Sequence, residues 1–472
     1  MIPMLVSLVT VPLYLQHIGL ARYGVMSVVW ILLGYFGVFD LGLSRATANQ
    51  IAKTNEASAE EREAAFWTGL WLNGLLGLVG GVALYLAASP LLVLVFKMSE
   101  GLRGEILGAL PWIAALVPLT TMSGVLTGSL EGCNRFLTVN SLQVMDATLF
   151  QVVPLAAVLV FGPQLSVIIP AAVLARMTST LSMAIAALQV FPPNRIRLPQ
   201  RKWAKKLVGY GAWVSVTSFL SPLIVNLDQM VIGSILGVKA VAYYSVPFNV
   251  AGKIQGLPSA LGRAMFPRLS NQAPGDAKDL ATRAVRLIGI GMTAIIAPAI
   301  LLIGPFLQWW VDADFASHTT LVAQIILLSV WINSPYFVPF ALLQAHGRPD
   351  FIAKFQVLEL LPLAGLLWVV VNKWGLTGAA LVCCARIAWD TGLLFWGSRI
   401  GWACLGELLP GAILVGVAWF VAAVIQPSPL LTAVIAVGFV SATIAWGWRI
   451  EPEIPRLLNQ WCLRYSLKLP PL

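Results

Sequence analysis

Apolar runs long enough to cross a lipid bilayer recur along this chain, parted only by short charged or Pro/Gly-marked breaks. That pattern constrains the fold more than any other feature. A membrane-spanning helix needs roughly 20 apolar residues, and in lipid every backbone amide must be satisfied within its own helix or a closed barrel. Runs lie near residues 1–16, 24–48, 65–88, 107–130, 137–161 and 165–190. After the break Pro192–Lys206 they recur near 207–236, 241–266, 285–309, 319–345, 351–371 and 375–398, with two more near 404–425 and 429–447. The expected architecture is an all-α polytopic membrane protein with 14 transmembrane helices. Only 11% of the 472 residues are charged, against about 25% in a soluble domain. Little chain is left for an extramembrane domain, which excludes an ordinary soluble enzyme.

The net charge of +10 acquires meaning once it is sorted by loop. With the N-terminus inside, the inside loops and tail hold 22 Lys and Arg and the outside loops hold 5 (Arg22, Lys97, Arg103, Lys239, Lys373). Arg176, Lys253 and Arg386 fall within spans. An excess of inside cations is what orients helical membrane proteins, so both termini are expected in the cytoplasm. The cations of Arg195–Lys206, with Trp203 among them, are expected to hold a cytoplasmic linker on anionic lipid rather than to bind nucleic acid. Glu451–Leu472 reads as an interfacial helix or a solvated tail, and Ser58 with Glu61 as a capping box before the third span. Met1–Leu15 reads as a first span, short enough to begin further upstream, rather than a cleaved leader. The five cysteines (Cys133, Cys383, Cys384, Cys404, Cys462) show no metal-ligand spacing and read as small apolar residues.

The first six spans match the next six in order. Gly19 falls on Gly237, Ser27-Val28 on Ser245-Val246 and Leu43–Ala46 on Leu261–Ala264 at an offset of 218; Gly132 and Phe136 fall on Gly347 and Phe351 at 215, and Ala175-Arg176 on Ala385-Arg386 at 210. Six spans return the chain to the side it started from. The expectation is therefore two pseudo-symmetric six-helix lobes in parallel repeat, with a cleft between them suited to alternating access. The domains are then residues 1–190 (N-terminal lobe), 191–206 (basic cytoplasmic linker), 207–399 (C-terminal lobe), 400–448 (two accessory helices) and 449–472 (cytoplasmic tail).

Ionisable groups inside spans need an interior or watery setting. Asp146 with Arg176, and Glu359 with Arg386, recur in both halves and read as structural ion pairs between neighbouring helices, with Asp390 a further partner for Arg386. Arg45 and Arg263 lie at equivalent inner ends and suit the two forks of a pyrophosphate clamp, or else snorkel to the headgroups. Asp40, Asp228 and Lys253 have no charged counterpart, their mates being Pro258, Thr10 and Tyr35. Lys253 is the expected phosphate or sugar contact and Asp40 or Asp228 the proton or sodium site; a structural Asp–Lys pair is the alternative. No catalytic, metal or nucleotide motif is present: AGKI (Ala251–Ile254) lacks the leading glycine and the hydroxyl of a phosphate loop. Neither an enzyme nor a bound cofactor is expected, beyond coupling to H+ or Na+.

VPLYLQHIGLARYGVMSVVWILLGYFGVFDLGLSRATANQIA (Val11–Ala52), NLDQMVIGSILGVKAVAYYSVP (Asn226–Pro247) and LLQAHGRPDF (Leu342–Phe351) resemble the polysaccharide-unit flippases of the multidrug, oligosaccharidyl-lipid and polysaccharide exporter superfamily. The resemblance runs from the first span to the fourteenth. It implies transfer of undecaprenyl-diphosphate-linked oligosaccharide, a precursor of O-antigen, capsule or exopolysaccharide, from the cytoplasmic to the periplasmic leaflet of the bacterial inner membrane. It also implies cationic residues in the central cleft that hold the anionic head, Arg45 in GLSRA and Asp228 in NLDQ matching recurring positions. Membrane lipids, the lipid-linked oligosaccharide and functionally associated polymerase and glycosyltransferases are the implied partners, with no nucleic acid. The alternative in the same class is a multidrug or cation antiporter. A membrane-embedded glycan polymerase or ligase fits less well, because the longest outside loop, Lys97–Glu105, is too small for a catalytic domain.

Overall fold

The computed structural model describes residues 2–35, 39–53, 59–192, 198–270, 274–345, 349–400, 403–425 and 428–450. The longer elements among them are helices α1 (Ile2–Tyr35), α2 (Leu43–Lys53), α3 (Ala59–Val95), α4 (Glu100–Gly132), α5 (Phe136–Phe161), α6 (Leu165–Leu188), α7 (Arg201–Ile235), α8 (Val238–Ser270), α9 (Pro274–Trp310), α10 (Ala313–Asn333), α11 (Phe337–Ala345), α12 (Pro349–Ser398), α13 (Ala403–Gly406), α14 (Leu409–Phe420) and α15 (Pro429–Ile450). Short 3-10 and π turns follow α10 and α14. The fold is all-helical among the described residues, where nine helices are long and apolar enough to cross a membrane and Leu223–Ile235 and Leu409–Ile425 are shorter apolar helices. Fourteen crossings is the count expected over the whole sequence. Two of the nine long helices are each interrupted by a glycine outside helical geometry, Gly19 in α1 (φ 76°, ψ 164°) and Gly375 in α12 (φ 59°, ψ −139°).

Two further glycines share this backbone conformation. Gly162, between α5 and α6, and Gly237, between α7 and α8, also have positive φ (106° and 90°). A Cβ in the left-handed region costs roughly 1–2 kcal/mol. Gly19 and Gly237 are 218 residues apart, and Gly162 and Gly375 are 213 apart, in line with the drifting offset of the repeat. All four lie in connections that the charge distribution assigns to the outside.

Two further elements differ from their sequence-based expectation. The run 24–48 is not one helix: α1 ends at Tyr35, residues 39–42 form a turn with Leu41 at φ 45° and Gly42 at φ 66°, and α2 starts afresh at Leu43. Every residue of this turn except Asp40 is apolar or glycine, so hydropathy passes over it. Trp203 is not a lipid anchor. It is 2% exposed and packs against Ala64 and Ala65 of α3, because two consecutive alanines leave a notch that an indole fills. The Gln200 N–H donates to Thr68 Oγ1 at 3.2 Å, Lys202 pairs with Glu61 at 3.6 Å, and α7 already begins at Arg201, within the segment expected to be a linker. Ser58 of the expected capping box and the tail from Glu451 lie outside the described residues.

By internal contacts the chain divides into two compact units: Met1–Ser245 with Glu359–Asn372, and Val246–Leu358 with Lys373–Leu472. In the first, α4 packs between α3 and α6 and also covers α2, while α7 lies against α1, α2 and α3. By this division the first unit ends at Ser245, inside α8. In the second unit α9 is the central helix, packed by α10, α14 and α15. Trp331 Nε1 donates to Thr293 Oγ1 at 2.8 Å, and Arg286 pairs with Glu407 at 2.7 Å.

Candidate functional site

The break before α2 opens onto a cavity of about 540 Å³ inside the first unit. Backbone that is neither helix nor barrel is tolerated at membrane depth only where it is buried in protein or lines a watery space. Asp40 shows how this break is stabilised. Its carboxylate accepts from the Ser44 N–H at 3.1 Å and from Ser44 Oγ at 2.6 Å, so it caps the first turn of α2. It also accepts from Asn73 Nδ2 of α3 at 2.6 Å. Asn73 reaches on to the Thr121 carbonyl of α4 at 3.3 Å, and Thr121 Oγ1 returns a bond to the Asn73 carbonyl at 3.0 Å. One carboxylate thereby ties α2 to α3 and, through Asn73, to α4.

α2 can approach α4 because α4 presents glycine every fourth residue there, Gly124, Gly128 and Gly132. A Cβ on Gly132 would lie 2.7 Å from the Ala48 carbonyl oxygen, too close to accommodate. Small residues at this spacing let helix backbones meet in membranes. Opposite α2, a Cβ on Gly69 of α3 would lie 2.6 Å from Thr47 Oγ1. Leu43, Ala46, Thr47 and Ile51 are buried in this slot, while Arg45 is exposed toward the cavity.

The far wall belongs to α5 and α6. Arg176, near the middle of α6, donates to Asp146 at the same level of α5, and both line the cavity with their side chains about a quarter exposed. Asp146 Oδ1 is buried with no hydrogen-bond partner, and so is the Oγ of Ser179, one turn beyond Arg176. Thr120, Thr127, Gln143 and Glu131 complete a lining of hydroxyls, amide and both signs of charge, with no aromatic ring among the described residues that form it.

The structure thus brings Asp40, Arg45, Asp146 and Arg176 into one cavity wall. Asp228 is elsewhere: it is 4% exposed on α7 and accepts from the Tyr244 hydroxyl of α8 and from the Gln229 N–H at 2.8 Å, pinning the α7–α8 hairpin. Lys253 and Arg263 are exposed on α8, in the second unit, where Arg263 reaches Ser259 Oγ at 3.4 Å. Arg386 donates to Asp390 at 3.0 Å, one turn along α12, and Glu359 lies half-buried on the same helix. Sequence reasoning missed Asn73, Ser179 and the glycine stripe; the spacing in GVLTGSLEG (Gly124–Gly132) was the available signal. It also missed Glu105, which accepts from Arg22 at 2.6 Å and from the Leu165 N–H at 2.9 Å, joining α1 just past its Gly19 interruption to the starts of α4 and α6. No group of three or more His, Cys, Asp or Glu placed to hold a metal occurs among the described residues.

A multi-pass helical membrane protein with a polar cavity walled by short, broken and glycine-notched helices has the build of a transporter. Residues 1–272 match the family described as polysaccharide biosynthesis protein, and the chain belongs to that family. It is 28% identical over 396 residues, covering 84% of this chain and 94% of the other, to the Shigella flexneri protein named "Putative O-antigen transporter". Its fold is that of the lipid II flippase MurJ in an inward closed conformation (TM-score 0.69, 12% identity, 95% of this chain and 97% of that one). It is equally that of an inward-facing multidrug resistance MATE transporter of the MOP superfamily (TM-score 0.68, 14% identity, 87% and 95%). These relatives are transporters and flippases, not enzymes.

Proposed function

We propose that this protein flips an undecaprenyl-diphosphate-linked oligosaccharide from the cytoplasmic to the periplasmic leaflet of the bacterial inner membrane by alternating access, with both termini in the cytoplasm. The observation that carries this reading is the lining of the cavity in a chain of this family. Sugar hydroxyls both donate and accept, and a wall of Ser, Thr, Gln, carboxylate and guanidinium groups offers partners of both kinds. An organic cation is held best over aromatic faces, and the described lining has none, which favours the glycan over a multidrug or cation substrate. Arg45, on the cavity wall of the first unit, is assigned to the diphosphate. Asp40, rather than the enclosed Asp228, is assigned to the coupling H+ or Na+. Polymerase and glycosyltransferases supply and consume the lipid-linked unit. The test is a deletion strain: loss of the gene strands lipid-linked units on the cytoplasmic leaflet, wild type restores surface glycan, and Arg45→Ala restores it poorly at normal expression. Full surface glycan without accumulation in the deletion strain refutes the assignment.

A further inference from the structure

The charges on the cavity wall of the first unit do not balance. Among the described residues that line it, Asp40, Glu131 and Asp146 are carboxylates and Arg45 and Arg176 are guanidiniums, which leaves one negative charge in excess. Neither cation is spare. Arg176 already donates to Asp146 Oδ2 between α6 and α5, and Arg45 is the group assigned to the diphosphate. In a pocket partly shielded from water, attraction and repulsion between charges both exceed their values in bulk solvent.

The hydrogen-bonding capacity of the wall is lopsided in the same sense. Asp146 Oδ1 is buried with no partner, and so is the Oγ of Ser179, a residue 5% exposed. Ser179 stands three residues after Arg176 on α6, on the helix face that carries the ion pair. Buried polar atoms in folded proteins are satisfied almost without exception, so two unmet atoms beside one ion pair mark a place where a ligand completes the set. A carboxylate oxygen needs a donor, whereas a hydroxyl gives one hydrogen and accepts others. The terminal torsion of an aspartate is soft, and the Asp146 side chain is about a quarter exposed. Its Oδ1 therefore turns to the cavity without any shift of α5.

We propose that the sugar seated against α5 and α6 is an acetamido sugar, and that this wall rejects sugars bearing a carboxylate. The acetamido group brings an N–H for Asp146 and a carbonyl oxygen for the Ser179 hydroxyl. The carboxylate of a uronate brings acceptors only, to a wall already short of donors and in excess of negative charge. Arg176 serves it only by leaving Asp146 without a counter-charge, which is the costly way to break such a pair, and Arg45 only by leaving the diphosphate.

This assignment rests on the flippase reading and narrows its substrate. Proteoliposomes are prepared with two synthetic undecaprenyl-diphosphate trisaccharides that share a terminal sugar and differ at one position, an acetamido hexose in one and a hexuronate in the other. Transfer is read as the fraction of terminal sugar protected from an added glycosidase. Wild type is expected to move the acetamido unit about tenfold faster, the factor that about 1.4 kcal/mol gives. Asp146→Asn keeps the shape of the side chain and leaves Arg176 uncompensated. Glu131→Gln balances the wall at two carboxylates and two guanidiniums without touching the pair, and carries the test where Asp146→Asn does not fold. Each is expected to narrow the preference about threefold, half of that free energy. Equal wild-type rates for the two units overturn the sugar assignment and leave the flippase reading in place. A preference that neither substitution changes overturns the assignment as well. If the protein moves neither unit but exports an organic cation, the flippase reading fails and the sugar assignment falls with it.

Discussion

Asp40 caps α2 and is proposed to couple transport to an ion, and two substitutions divide the two roles. Asp40→Ala removes the acceptor that caps α2 and the acceptor for Asn73. A lost N-cap costs about 1 kcal/mol, and a lost hydrogen bond to a charged group about 1.5–3. Asn73 is fully buried, so its amide would be stranded, and a total near 3 kcal/mol follows. Asp40→Asn keeps an oxygen for Ser44 and Asn73. Its new amide hydrogens can also meet Asn73 Oδ1, a buried atom with no hydrogen-bond partner, so the stability change is expected to stay within about 1 kcal/mol. The ionisable group is nevertheless gone. Thermal melting in detergent is expected to rank wild type and Asp40→Asn together, well above Asp40→Ala. Flipping in proteoliposomes under an imposed proton or sodium gradient is expected to fail for Asp40→Asn. Gradient-driven flipping at the wild-type rate by Asp40→Asn refutes the coupling role and leaves Asp40 a helix cap; wild-type melting of Asp40→Ala refutes the network itself.

Three further outcomes follow from the same contacts. Asp146→Ala is expected to cost about 1–3 kcal/mol, below the 3–5 of a fully buried pair because both partners are about a quarter exposed; the exchange Asp146→Arg with Arg176→Asp recovers most of the melting temperature if the pair is structural. Glu105→Gln weakens the bonds from Arg22 and Leu165 at a cost of about 1 kcal/mol, read as faster amide exchange in the first turn of α6. Trp203→Ala opens a cavity against Ala64 and Ala65 costing about 3 kcal/mol, and trypsin is expected to cut faster at Arg201 and Lys202.

The helices were legible because bilayer thickness sets the length of an apolar run independently of what packs around it. The turns were legible in part: Gly19 and Gly237 align, whereas Gly162 and Gly375 are recognised as equivalents only by their shared positive φ. What stayed hidden depends on which surfaces meet. Arg22 and Glu105 are two ordinary loop-end charges until α1 and α4 are set side by side. Trp203 amid six cations has the composition of a membrane anchor, and only the alanine notch on α3 gives it another place. The turn at 39–42 is invisible to hydropathy because Leu41 and Gly42 are as apolar as a helix would be. Its one polar residue, Asp40, stood out as an unduplicated charge but not as a cap.

The same residues show where positions matched by the sequence offset agree in structure and where they differ. Gly19, Gly162, Gly237 and Gly375 all have positive φ at positions paired by the sequence offset, and Ser27 meets Ser245, 218 residues further on. Elsewhere the matched stretches diverge. The first breaks at 39–42 and restarts as α2, while the equivalent stretch of the second runs on through Pro258 as the unbroken helix α8. A symmetric scaffold needs nothing there, since a continuous helix satisfies its own backbone. The break costs a strained Leu41, an added helix terminus and a carboxylate to cap it. A feature that unfavourable, present in one copy and opening onto the polar cavity, is what the proposed recognition of an asymmetric substrate or ion requires.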